Sequence, residues 1–100
     1  AAFAPEAVIH AAWAGCHNRH HQSPLQADNV ALLPALMRTA AAAGARHWLA
    51  LGSQAEYGPA ESALGEEAPA RPDSAYGRAK LAALLVSQIM AAGLGLRLAW

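Results

Sequence analysis

Three short apolar runs, separated by two long helix-forming stretches, constrain this chain more than any other feature of it. Ala7 to Ala12 (Ala-Val-Ile-His-Ala-Ala) follows Pro5-Glu6, His47 to Leu51 ends at Gly52, and Leu94 to Trp100 closes the sequence. Runs of this length between turn formers read as buried strands. Between the first two, Leu25 to Ala43 carries helix formers and ends at Gly44, a residue suited to a C-cap. Pro34 lies inside that stretch. Either the helix kinks there, or its regular part starts near Leu33 with Pro34 in its first turn. Before the third run, Ser74 can cap a helix that reaches about Ala92 and stops at Gly93. Strand, helix, strand, helix, strand predicts an α/β fold with a parallel sheet and right-handed helical crossovers. The runs lack polar alternation, which predicts a sheet covered on both faces.

The composition narrows the function. Of 100 residues 55% are hydrophobic, so the chain has a globular character and the length of one small domain. Seven basic residues balance seven acidic ones. No basic stripe exists to track a phosphate backbone, which argues against a nucleic-acid partner. The longest uncharged stretch, Leu81 to Leu96, is shorter than the roughly 20 apolar residues a membrane span needs, so no membrane role is expected. Cys16 is the single cysteine, no signal peptide is visible, and a cytoplasmic location is expected. The sequence opens at Ala1 without methionine and stops at Trp100 inside a predicted strand, which reads as part of a longer protein.

In a parallel α/β sheet, sites form where the strands end. That edge gathers Ala11-Ala12-Trp13, Gly52-Ser53-Gln54 and the start of the second long helix around Tyr76. Gly52 to Pro72 is a long loop rich in Gly, Pro, Glu and Ser, and long loops in compact domains are often functional. Tyr76 and Lys80 stand four residues apart, on one helix face. An ammonium beside a phenol stabilises the phenolate, which equips a tyrosine to take a proton from an alcohol. Ser53 supplies a hydroxyl to hold the substrate oxygen. Taken alone, the Tyr–Lys spacing is a weak signal, and a packing aromatic followed by a solvated lysine is the commoner source of it. Cys16, His17, His20 and His21 form a Cys-His-x-x-His-His cluster in the first loop, but no second pair stands at finger spacing. They read as exposed loop residues, and no metal is expected.

Four motifs in order give the pattern an identity. Ser74 to Lys80 (Ser-Ala-Tyr-Gly-Arg-Ala-Lys) resembles the Ser-x-Tyr-Gly-x-x-Lys signature of the extended short-chain dehydrogenase/reductases. Gly52 to Gly58 (Gly-Ser-Gln-Ala-Glu-Tyr-Gly) is similar to their Ser-Ser-x-x-x-Tyr-Gly motif, 23 residues before Tyr76 when counted from Ser53. Val8 to Ala12 resembles their Val-Ile-His-x-Ala strand, and Asn29-Val30 their Asn-Val element. The resemblance covers nearly the whole chain and points to the NAD-dependent epimerase/dehydratase family. It implies a partial Rossmann-like, doubly wound sheet, here three strands and two main helices, with NAD or NADP as cofactor. It makes Tyr76 the catalytic acid or base, and has Lys80 bind the nicotinamide ribose and tune Tyr76. Ser53 orients the substrate oxygen with Gln54 beside it, while Ala11, Ala12 and Trp13 line the cofactor. Asn29 supports the site.

Departures from the family pattern bound the reading. The Gly-x-x-Gly-x-x-Gly pyrophosphate loop is absent, and Gly93-Leu94-Gly95 does not replace it. Residues 1–100 therefore read as the central-to-C-terminal part of a nucleotide-binding domain without that loop or the substrate domain. The resemblance favours the nucleotide-sugar branch through Tyr57-Gly58 and the Glu67-Ala68-Pro69 loop. Gln54 and Ala55 stand where sugar dehydratases carry Asp-Glu, and Ala55 stands where fucose-synthase types place a cysteine. Glu56 comes one place too late to substitute. A nucleotide-sugar epimerase or 4-ketoreductase remains, with a non-catalytic dinucleotide-binding sensor or scaffold as the alternative. The resemblance also implies a homodimer through the two helices. The alanine-rich faces at Ala40 to Ala43 and at Ala79, Ala82 and Ala83 would permit close approach.

Overall fold

The structure, a computed structural model, describes residues 3–100, so the opening at Ala1 lies outside the described residues. In chain order it holds β1 (Ala7–His10), α1 (Gln26–Ala31), α2 (Leu33–Ala42), β2 (His47–Ala50), α3 (Ala75–Leu94) and β3 (Arg97–Ala99). Two 3-10 turns, Asn18–His20 and Gln54–Glu56, interrupt the loops. The strands form one parallel sheet in the order β1-β2-β3. The α/β expectation is met.

Pro34 explains why the first helical stretch is two helices. It has no N–H for the carbonyl of Val30, four residues back. The chain breaks at Leu32, and α2 starts at Leu33 with Pro34 in its first turn, where a missing donor costs nothing. At α3, Ser74 caps as expected, its Oγ accepting from the Gly77 N–H at 2.9 Å. The stop is a correction. Gly93 continues the helix, and Gly95 ends it with φ 70°, its N–H bonded to Ala91 O. A stop needs the left-handed conformation, and only the second glycine adopts it.

Leu33, Met37 and Ala40 of α2 pack with Trp48 and Ala50 of β2 and with Ala83 and Ala91 of α3. Val8 and Leu98 lean on the same cluster. The helices thus cover one sheet face. The opposite face, with Ile9 67% exposed and Leu49 and Leu51 also open, is bare among the described residues. The expectation of two covered faces is not met. A sheet that advances in one direction with crossovers of one hand lays its helices on one side. No helix among the described residues is long and apolar enough to cross a membrane.

Candidate active site

Ser53 begins the loop that leaves β2. It is the N-cap of the Gln54–Glu56 turn, in extended conformation, with its Oγ accepting from the Ala55 N–H at 3.1 Å. That bond uses the acceptor side of the hydroxyl and leaves its proton to donate. The Glu56 carboxylate reaches back to the Ser53 N–H and completes a capping box. The turn therefore forms locally, from a Ser-x-x-Glu pattern, and holds Ser53 half-buried while Gln54 stays exposed.

The start of α3 is pressed against this turn. Gly77 is buried, and a Cβ there would run into the Ala55 carbonyl. A glycine after Tyr76 is therefore what lets the Tyr76 backbone approach the Ser53 segment. Ser53 and Tyr76 line one open cleft of about 780 Å³, with Gln54, Tyr57, Ser74 and His21.

Lys80 lies one turn further along, 7% exposed. Its Nζ donates to the Leu51 carbonyl at 3.0 Å, at the end of β2. The ammonium sits 4.2 Å from the centroid of the Trp13 ring and 6.0 Å from that of Tyr76. Burial pushes the Lys80 pKa below its ordinary value, while the charges of Glu56 and Cys16 pull it back up. The same burial effect, assisted by the Lys80 charge, lowers the pKa of His10.

Tyr76 is held on two sides. His21 stacks flat on its ring, with centroids 4.4 Å apart and planes 5° from parallel. Trp13 meets it edge to face at 6.1 Å. The Tyr76 N–H also donates to the His21 carbonyl at 2.8 Å, so the first loop is pinned to the start of α3. His21 departs from its reading as a merely exposed loop histidine. Among the described residues, no group of three or more His, Cys, Asp or Glu side chains is gathered for a metal ion.

Asn29 and the buried Gln26 fix the loop after β1. Asn29 exchanges two bonds with the main chain of Ala14, each 2.9 Å. Gln26 accepts from the Trp13 indole at 2.8 Å and donates to the carbonyls of Gly15 and His20. These bonds set Trp13 over Lys80. Nothing in the residue order singles out Gln26, which looks like any polar helix residue. His21 is visible there only as one of three clustered histidines, and Glu56 only as the end of a Ser-x-x-Glu pattern.

The residues expected to line a cofactor, Ala11, Ala12 and Trp13, follow β1 at this edge. The small side chains of Ala11 and Ala12 leave exposed positions just after β1, close to the buried Lys80 cation through Trp13. A phenol, a hydroxyl proton and a cation then stand on one sheet edge. They can move a proton to or from a substrate oxygen and hold that oxygen in place.

The model of the NAD dependent epimerase/dehydratase family matches residues 1–100. No curated protein matches the chain.

Proposed function

The chain belongs to the NAD dependent epimerase/dehydratase family, and from that premise we propose that it carries the Ser53–Tyr76–Lys80 proton relay of an NAD(P)-dependent nucleotide-sugar epimerase or 4-ketoreductase. The observation that carries the reading is one cleft lined by both Ser53 and Tyr76, with the buried Lys80 ammonium beside the phenol ring. When bound, the nicotinamide supplies the hydride acceptor and donor. Ala11, Ala12 and Trp13 would line its reactive ring, and Lys80 its ribose. Tyr76 takes the proton of a sugar hydroxyl, or returns one to a ketone oxygen. The Ser53 hydroxyl donates its free proton in a hydrogen bond to that oxygen. Lys80 offsets the charge of the phenolate while Tyr76 is deprotonated. Residues outside this segment would supply the pyrophosphate loop and the substrate domain.

Loss of water from the sugar is disfavoured. Gln54 and Ala55 bring no acid–base pair, and both oxygens of the Glu56 carboxylate are engaged by N–H groups. A second reading, a dinucleotide-binding sensor or scaffold, draws on the seat of Lys80 against Trp13 and the Leu51 carbonyl. The test incubates the full-length protein with NAD and NADP and a panel of UDP-, GDP- and dTDP-hexoses, beside Tyr76→Phe. Epimerised or reduced sugar that falls by about 100-fold or more in Tyr76→Phe is the expected result. Cofactor binding without turnover, alike in both proteins, would favour the sensor.

A further inference from the structure

Glu56 stands where the local pattern needs only one bond, yet it makes two. It is 7% exposed. One carboxylate oxygen accepts from the Ser53 N–H, and the other from the Trp100 indole N–H at 2.9 Å. The second bond spans 44 residues, from the Ser53 loop to the end of β3. Gly52 completes the arrangement. A Cβ there would fall 2.5 Å from the indole nitrogen and 2.8 Å from the carboxylate, so a larger residue would push these two side chains from their places.

The choice of a carboxylate is chemically specific. Both partners are donors, and an ionised carboxylate is acceptor-only. An amide would turn a donor toward one of them. An apolar residue could fill the same space without the cost of burying a charge, so the charge has to be offset by what it holds. It is also one of the charged groups near Lys80, with Cys16, His10 and Tyr76 the other titratable groups on that side.

We infer that Glu56 is a positioning residue of this site: its buried carboxylate ties the Ser53 main chain to the Trp100 indole, so that the end of β3 fixes where the Ser53 hydroxyl stands. The inference rests on the proposed relay for its effect on turnover, while the clamp itself is a matter of geometry. Glu56 also keeps a negative charge in the neighbourhood of the Lys80 ammonium. Its removal therefore acts on the relay twice, through the place of Ser53 and through the charge of Lys80.

The experiment compares full-length wild type with Glu56→Gln, Trp100→Phe and Tyr76→Phe. It measures kcat and KM against pH on the sugar that is turned over, and hydrogen exchange at the Ser53 amide. A misplacement of about 1 Å costs on the order of 100-fold in rate. Glu56→Gln is expected to lose about 10- to 100-fold in kcat, with sugar KM within about twofold. Its alkaline limb moves to lower pH, because Lys80 loses a supporting charge. Trp100→Phe keeps the carboxylate, so it loses less and its limb stays in place. The Ser53 amide exchanges faster in both. Unchanged kcat, limb and exchange in Glu56→Gln overturn the inference. If Glu56→Gln fails to fold, wild-type kcat and Ser53 exchange in Trp100→Phe overturn it instead. Full activity in Tyr76→Phe would refute the relay, while Ser53 exchange still decides the clamp.

Discussion

His10 sits where β1 meets the site, its ring stacked on the buried Trp48 at 5.5 Å. Burial and the Lys80 charge hold its pKa below 6.5, so between that lowered value and 6.5 the unfolded chain binds more protons than the folded one. Stability is therefore expected to fall as pH drops through this window, and the penalty is complete below the folded pKa. Denaturant melts across the window should show the slope in wild type and a flatter one in His10→Gln. Lys80 follows the same rule at higher pH. Its lowered pKa penalises the folded state while Lys80 is protonated, and that penalty is relieved as pH rises toward 10.5. Lys80→Met should shrink the His10 slope as well, since it removes one cause of that shift. An unchanged slope in both variants would mean that neither side chain carries the acid response.

Residue by residue, the site divides into what chain order encodes and what it does not. The nearness of Ser53, Tyr76 and Lys80, whose roles are a proposal, was legible because chain-local spacing and topology bring them to one edge. The support around them was not. The His21 stack on Tyr76 and the Trp100 bond to Glu56 depend on where a loop and a strand end meet in space. No pattern of spacing encodes either contact. Trp13 was expected to line the cofactor, and its cation–π contact with Lys80 adds a partner that only the fold reveals.

Among the elements, α3 carries the most information per residue. Its inward stripe of Ala79, Lys80, Ala83, Ser87 and Ala91 is buried, and most of those side chains are small. Ser87 is fully buried, and its Oγ has no hydrogen-bond partner in the structure. An unsatisfied buried hydroxyl costs about 1–3 kcal/mol. Ser87→Ala removes that cost and opens only a small void, so it is expected to stabilise by about 1 kcal/mol. Thermal melts of the two proteins decide it, and a lower Tm in Ser87→Ala would mean that the hydroxyl is satisfied in solution. At the other end, Gly77→Ala forces a methyl into the Ala55 carbonyl. It should destabilise and also displace Tyr76 from Ser53, so turnover should fall further than the stability loss explains. The strands were legible to within two or three residues, and each proved shorter than its apolar run. A strand ends where its ladder of hydrogen bonds to a neighbour ends, and Ala11, Ala12 and Leu51 lie beyond the last paired residues of β1 and β2. Apolar character alone does not mark that point. The α1–α2 break was legible as one of two options because proline acts on the backbone directly.

For the molecule as a whole, the two uncovered surfaces differ in kind. The bare sheet face shows open apolar side chains at Ile9 and Leu49, the consequence of crossovers on one side only. The helical surface is the one proposed to pair two copies. The alanine faces expected to make that contact are partly spent, because Ala40, Ala79 and Ala83 are buried in the chain's own core. What faces outward is a stripe on α3, with Ala82 half-buried, Leu85 51% exposed and Ile89 70% exposed. Beside it, Pro24, Ala27, Val30 and Ala31 line a groove between α1 and α3. The spacing of 82, 85 and 89 keeps the stripe on one helix face, and the small residues of α1 would let a second helix pair approach closely. A glutamate at position 89 would be buried without a partner in such an interface, at a cost of several kcal/mol per copy. Sedimentation of the full-length protein is therefore expected to give a dimer for wild type and a monomer for Ile89→Glu, with the melt of the monomer becoming independent of concentration. A wild-type monomer, or a dimer that survives Ile89→Glu, would place association elsewhere and leave this stripe as ordinary surface.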